Sequence, residues 1–302
     1  MESELSTQTT LRPAQILAFR LGVSYHPPDS PSLPGTLAFE TIRGEAGVDF
    51  IGTDSVDALF SLNETGAITV DAKGGNDTIT LTDSDQVVGS ATIKGGAGND
   101  TIALTAESGG NNSRLSSSSV NGGAGDDNFQ LAGSVSTVFR GNEDDDDFTL
   151  SQNFTASTVN GNAGNDSFVI TAAGGISLSN TKILGGSDAD GSMNFSGGGG
   201  ITSAVDSTIN GSKGDDSITI GNVTLATNFT VFGGQGNDVL TSTNTGSDSV
   251  IYSGDKGDDT INTVVAGAAK ASILGGEGND LITAGADKDT IDGGEGADTI
   301  TA

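Results

Sequence analysis

The chain has 302 residues, of which 40 are Asp or Glu and only 12 are Lys or Arg, for a formal net charge of −28. Such a polyanion with no basic patch is excluded as a nucleic-acid binder and is a poor match for an anionic membrane surface. It has no Cys, no Trp, one His, 47 Gly and 33% hydrophobic residues, which removes disulfides and thiolate chemistry and argues against a large conventional core.

At the start of the chain, residues 1–10 show no basic region followed by an apolar one, so no cleavable secretory signal is visible. No apolar run reaches the roughly 18–20 residues of a membrane-spanning helix. All five prolines (Pro13, Pro27, Pro28, Pro31 and Pro34) come early, and residues 1–43 hold only Gly22 and Gly35. Residues 26–34 read as an extended linker, because each proline disfavours helix in the residue before it. Residues 15–23 fit either a strand, with Leu17, Phe19, Leu21 and Val23 alternating, or a short helix between Pro13 and Gly22. The chain therefore divides into an N-terminal anchor or linker at 1–43 and a repeat domain at 44–302.

The repeats are clearest in Gly-Gly-Ala-Gly-Asn-Asp-Thr-Ile at 95–102, Gly-Gly-Gln-Gly-Asn-Asp-Val-Leu at 233–240 and Gly-Gly-Glu-Gly-Asn-Asp-Leu-Ile at 275–282. Looser copies begin at Gly44, Ala72, Gly122, Gly141, Gly161, Gly185, Gly211, Gly254 and Gly293. The sixth position is always aspartate: Asp49, Asp77, Asp100, Asp127, Asp146, Asp166, Asp190, Asp216, Asp238, Asp259, Asp280 and Asp298, spaced 18 to 28 residues apart. At the end, three consecutive nonapeptides (275–283, 284–292 and 293–301) bring Asp280, Asp289 and Asp298 into register.

Each copy predicts two short strands. One precedes the glycines, as at 90–93, 136–139 and 271–274; the other follows the Asp, as at 101–104, 148–150 and 217–220. Both alternate small polar residues with Val, Ile, Leu or Phe, so one side of each is buried. Strand, glycine turn, strand and variable loop make one coil of an all-β, right-handed parallel β-solenoid of about twelve coils. At ~4.8 Å per coil the rod is roughly 55–60 Å long. The edge opposite the turns is expected to carry loops such as 107–118 with no second motif.

The turns carry the chemistry. Glycine accepts positive φ, so the backbone folds tightly and aims carbonyl oxygens inward, and the Asp adds a carboxylate. Stacked about 5 Å apart, such carboxylates repel unless cations sit between the rungs. Hard carbonyl and carboxylate oxygens in a flexible site suit Ca²⁺ better than Mg²⁺. The candidate ligands are the twelve turn aspartates and Asp289, with the first and fourth turn glycines: Gly95, Gly98, Gly122, Gly125, Gly161, Gly164, Gly211, Gly214, Gly233, Gly236, Gly254, Gly257, Gly275, Gly278, Gly293 and Gly296. Twelve rungs leave at most about eleven Ca²⁺ on this edge. Two rungs are irregular: 141–146 lacks two glycines, and Asp188 stands where the copy at Gly185 should have its third. Without cation, disorder is the expected state of so thin a core.

The pattern Gly-Gly-x-Gly-x-Asp-x-apolar-x resembles the hemolysin-type calcium-binding repeat of RTX proteins over residues 44–301, most specifically in the three terminal nonapeptides. The resemblance implies a β-roll in which carboxylates and glycine-region carbonyls of two stacked turns share each ion. Asp100, Asp127, Asp166, Asp216, Asp238, Asp259, Asp280 and Asp298 match the motif well. RTX rolls usually turn every nine residues with ions on both edges. A period near 23 instead implies one ladder, with a short second edge around Asp287 and Asp289.

No catalytic constellation stands out. His26, the single histidine, lies in the proline-rich linker, Ser and Thr have no evident His or Lys partner, and the basic residues are spread singly, so the chain reads as no enzyme. The third turn position is too varied for an ice-binding template. The reading that remains is a calcium-stiffened rod outside the cell or at its surface, assembling through its ends into a layer, matrix or filament, or docking onto a larger assembly. No C-terminal segment of the type I secretion kind is recognisable after the repeats. The alternatives are a virion appendage such as a phage fibre, anchored by residues 1–40, and an adhesion module that binds glycan through its loops.

Overall fold

Alternation of apolar and small polar residues on either side of each glycine turn produces short strands that bury every second side chain, as in Thr92–Ala97 and Asn128–Leu131. The computed structural model describes the strands Phe39–Thr41, Asp49–Ile51 and Ala58–Phe60, and residues 67–302 apart from 84–86, 107–113, 222, 244–249, 264–269 and 286–287. Among the described residues there is no helix. The strands form a parallel β-solenoid of two long sheets, one of thirteen strands that follow the turns and one of twelve that precede them. Every pairing is parallel and joins one coil to the next, as in Thr101↔Asn128 and Val120↔Phe139.

A third sheet of seven strands, from Val87–Gly89 to Leu225–Thr227, lines the edge that the sequence reading assigned to plain loops. The edge has its own repeated corner. Ser90, Ser117, Ser136, Ala156, Asn180, Asp206 and Asn228 all sit at φ between 48° and 57°, the left-handed region. The residue after several of them is a buried Ser or Thr whose hydroxyl ties neighbouring coils together. Ser157 Oγ accepts the Thr137 N–H at 3.3 Å and donates to the Thr155 carbonyl at 2.9 Å; Ser118 and Ser207 repeat the arrangement with Ala91 and Thr181. Local hydroxyl-to-backbone bonding is what Ser and Thr offer at a tight turn. The expectation of an edge without a motif is thus corrected. The solenoid is three-sided along these seven strands.

The core consists of facing ladders. Ile102, Phe129, Phe148, Phe168 and Met193 stack in register from the thirteen-stranded sheet against Ile93, Val120, Phe139, Val159 and Ile183 from the twelve-stranded one, all buried. Phe129 and Phe148 stack with centroids 4.5 Å apart, and Phe148 and Phe168 at 4.9 Å. Phe148→Ala is expected to cost about 3–5 kcal/mol in urea titrations with calcium present, because the residue fills the slot between two rings.

Two readings shift at the N-terminal side. Phe39–Thr41 already belongs to the thirteen-stranded sheet, so the sheets begin before residue 44, and the rest of 1–43 lies outside the described residues. Asp49 opens a strand of the twelve-stranded sheet, paired with Thr69, and so holds a pre-glycine strand position and not the sixth turn position. The Gly-Glu-Ala-Gly-Val-Asp at 44–49 thus imitates the turn motif in sequence alone; residues 42–48 and 52–57 lie outside the described residues.

Candidate metal centre

The second turn position is left-handed in nearly every coil. Glycine serves at Gly96, Gly123, Gly234, Gly276 and Gly294, but Lys73 (φ 83°), Asn142 (97°), Asn162 (83°), Ser212 (86°) and Asp255 (74°) adopt the same conformation. The irregular rung 141–146 therefore keeps its fold, with Asp144 at φ 71° in the fourth position. In the rung 185–190 the register slips, and it is Gly191 N–H that meets Asn165 Oδ1. A left-handed non-glycine residue costs roughly 1–2 kcal/mol, more than the exposed Lys73–Asp71 ion pair returns. Lys73→Gly is expected to raise stability by about 1 kcal/mol, read as a higher urea midpoint in calcium.

The turn aspartates lie inside the turn, not on its outer surface. Asp100, Asp127, Asp146, Asp166, Asp190, Asp216, Asp238, Asp259 and Asp280 are all at most 1–2% exposed. The Oδ1 atom of each accepts the backbone N–H of the aspartate one coil earlier, at 2.7–2.9 Å from Asp77–Asp100 through Asp259–Asp280; Asp298 closes the series at 3.1 Å. Outside this ladder runs a second one of opposite polarity, made by the fifth turn position. Asn76 accepts the Asn99 N–H, Asn99 that of Asp126, Asp126 that of Asp145, and Asp145 that of Asn165. Asp215, Asn237, Asp258 and Asn279 continue it on the far side of the slipped rung. The outer ladder was missed in the sequence, although Asn or Asp at the fifth position was its plain signal.

The other carboxylate oxygen is what the protein leaves unmet. Oδ2 of each of the nine aspartates from Asp100 to Asp280 is buried and has no hydrogen-bond donor. It lies against the α-carbon of the first turn glycine five residues earlier, beside the carbonyl oxygen of the next coil's first glycine. A Cβ built on Gly161 would collide with Asp166 Oδ2 and lie 2.6 Å from the Gly185 oxygen; one on Gly122 would collide with Asp127 Oδ2 and lie 3.0 Å from the Gly141 oxygen. Gly95, Gly211, Gly233, Gly254, Gly275 and Gly293 are likewise fitted to their own Asp carboxylates. At the fourth position Gly98, Gly125, Gly164, Gly214, Gly236, Gly257, Gly278 and Gly296 have positive φ.

Burial without a donor, followed by repulsion from neighbouring coils, raises these carboxyls far above the usual range, against the opposing pull of the backbone N–H bond. Asp100, Asp166 and Asp238 are pushed up to about 6, Asp127, Asp190 and Asp259 to about 7, and Asp146 and Asp216 to about 8. Asp280 is raised as well.

A stack of orphaned anionic oxygens beside backbone carbonyls, packed so close to the turn glycines that a methyl group there would collide with them, fits a hard cation. Among the described residues no three acidic or His side chains converge on one point, so carbonyl oxygens must complete any ligand set. Bound there, Ca²⁺ supplies the positive charge and the oxygen coordination that no protein donor provides. Asp289 stands apart on the opposite edge, where its Oδ1 accepts the Ala271 N–H at 2.8 Å; Asp287 lies outside the described residues. Gly161→Ala is expected to lower both stability, by about 1–3 kcal/mol, and the calcium bound per chain, read by calorimetric titration beside wild type.

A parallel solenoid with glycine turns closed over a carboxylate ladder is a β-roll. The family model for the RTX calcium-binding nonapeptide repeat matches in four copies, at residues 86–104, 230–244 and 266–300. No curated protein and no solved structure matches the chain. The matched residues are RTX calcium-binding repeats, and together with the parallel solenoid they support an RTX-type β-roll protein.

Proposed function

We propose that the chain is a non-catalytic structural rod, stiffened by Ca²⁺ held at Asp77 and the nine aspartates from Asp100 to Asp280 with their glycine carbonyls. The observation that carries this reading is the row of nine buried, donorless Oδ2 atoms in register along one edge. Metal binding and folding are then one event, which suits a protein assembled where calcium is abundant, outside the cell or at its surface. RTX repeats are typical of such proteins. In this reading rods join end to end into a layer, matrix or filament. Electron microscopy of the purified chain in millimolar calcium and in chelator tests it. Rods that associate end to end only in calcium support the reading, and dispersed rods at every protein concentration would remove the assembly from it.

A further inference from the structure

Coil length is uneven where the solenoid is three-sided. Successive turn aspartates from Asp100 to Asp190 are 27, 19, 20 and 24 residues apart, so the two shortest coils are adjacent. A cleft of about 550 Å³ lies along the strands Asn128–Leu131, Asp147–Leu150 and Ser167–Ile170 of these coils. Its walls are the amides of Asn128, Gln130 and Gln152 and the hydroxyls of Thr149, Ser151 and Thr171. Leu104 and Leu131 close the floor.

Among the described residues this lining carries no charged side chain, in a chain with 40 acidic residues. We propose that the cleft binds a neutral polysaccharide. Amides and hydroxyls both donate and accept, as sugar hydroxyls do. The other ligand classes fit less well. An anion would find no Lys or Arg in the lining and would face a net charge of −28; a cation would find no carboxylate there. An apolar ligand would strip water from six polar groups without replacing their hydrogen bonds. Asp147, at the turn end of the middle strand, is the one charged residue on these three strands and is not among the residues that line the cleft.

The polymeric character of the ligand follows from register. The outward column that starts at Gln130 and Thr149 continues through Val169 to Asn194, Thr219, Thr241, Asn262, Thr283 and Thr301, one residue per coil. A linear chain of like sugars leaving the cleft meets a like neutral group at successive rungs, and weak contacts at many rungs add up to useful avidity.

Affinity electrophoresis of the calcium-loaded chain through gels containing dextran, mannan or xylan tests this, with alginate as the anionic probe. Retardation by at least one neutral polymer and not by alginate is expected. Gln130→Ala combined with Gln152→Ala should weaken it at least tenfold while the circular dichroism stays that of wild type. Thr149→Glu, which places charge in the cleft, should do the same, and Asn160→Ala on the twelve-stranded sheet should leave binding intact. No retardation by any neutral polymer, binding of alginate alone, or wild-type retardation of the cleft variants would overturn the proposal. Calcium-dependent folding, read separately by circular dichroism, would be untouched by that outcome.

Discussion

In excess chelator at pH 8 the chain is expected to lose most of its β-sheet circular dichroism and to recover it when calcium is restored. The magnitudes decide this. A buried polar group left without a partner costs about 1–3 kcal/mol, and more when it is charged. Nine such oxygens, on the aspartates from Asp100 to Asp280, together approach or exceed the ~5–15 kcal/mol by which a folded domain is ordinarily stable. The buried apolar rows, Leu131, Leu150, Ile170 and Phe195 among them, must offset this cost together with the entropy of ordering the chain. A metal-free chain that keeps its full β spectrum at pH 8 would show that the carboxylates are satisfied in some other way, and the calcium reading would fall with it.

Acid should substitute for the metal. The carboxyls from Asp100 to Asp259 are raised in the fold to between about 6 and 8 from an ordinary 3.8. The folded chain therefore holds more protons than the unfolded one between about pH 4 and 8. Stability without metal is accordingly greatest towards acid and falls as pH rises through 6 to 8, the reverse of a protein held by ion-paired carboxylates. Calcium-free protein moved from pH 8 to pH 5.5, still above its pI of about 4.1, is expected to regain β structure. Its melting temperature should rise by on the order of 10 °C or more across that range. With saturating calcium the dependence should weaken or reverse, because protons then compete with the metal. A calcium-free melting temperature that rises from pH 5.5 to 8 would contradict the buried ladder.

The solenoid and most of the candidate site were legible because the repeat is local. Glycines at fixed offsets from Asp, with Ile or Phe two residues beyond as at Asp100–Ile102 and Asp127–Phe129, state the turn, the strand and the buried face together. What escaped was set by neighbouring coils. That the carboxylates are packed inward against Gly95 or Gly161 follows from stacking, and no single copy reveals it. The third sheet rests on strands as short as Ser134–Val135 and Phe154–Thr155, too brief for periodicity to mark. Its corner residues are ordinary Ser, Ala, Asn and Asp in the left-handed region, tied from Ser90 to Asp206 by backbone N–H bonds to carbonyls of the adjoining coil, with no glycine to announce them. At Asp49 the failure was different, since a local pattern imitated the motif while strand register placed the residue elsewhere.

Each rung in both side-chain ladders closes its hydrogen bonds with the adjoining rungs alone, which makes length a free variable in this protein's evolution. A whole coil can be duplicated or lost and the flanking rungs will meet again in register, as nearest-neighbour repeats allow. Insertions between the strands are also absorbed, as the 18- to 27-residue spacing of the aspartates from Asp77 to Asp298 shows, whereas a single residue gained between glycine and Asp would separate a carboxylate from its cradle. Relatives should therefore differ freely in reach and in loop size while keeping the hexapeptide intact.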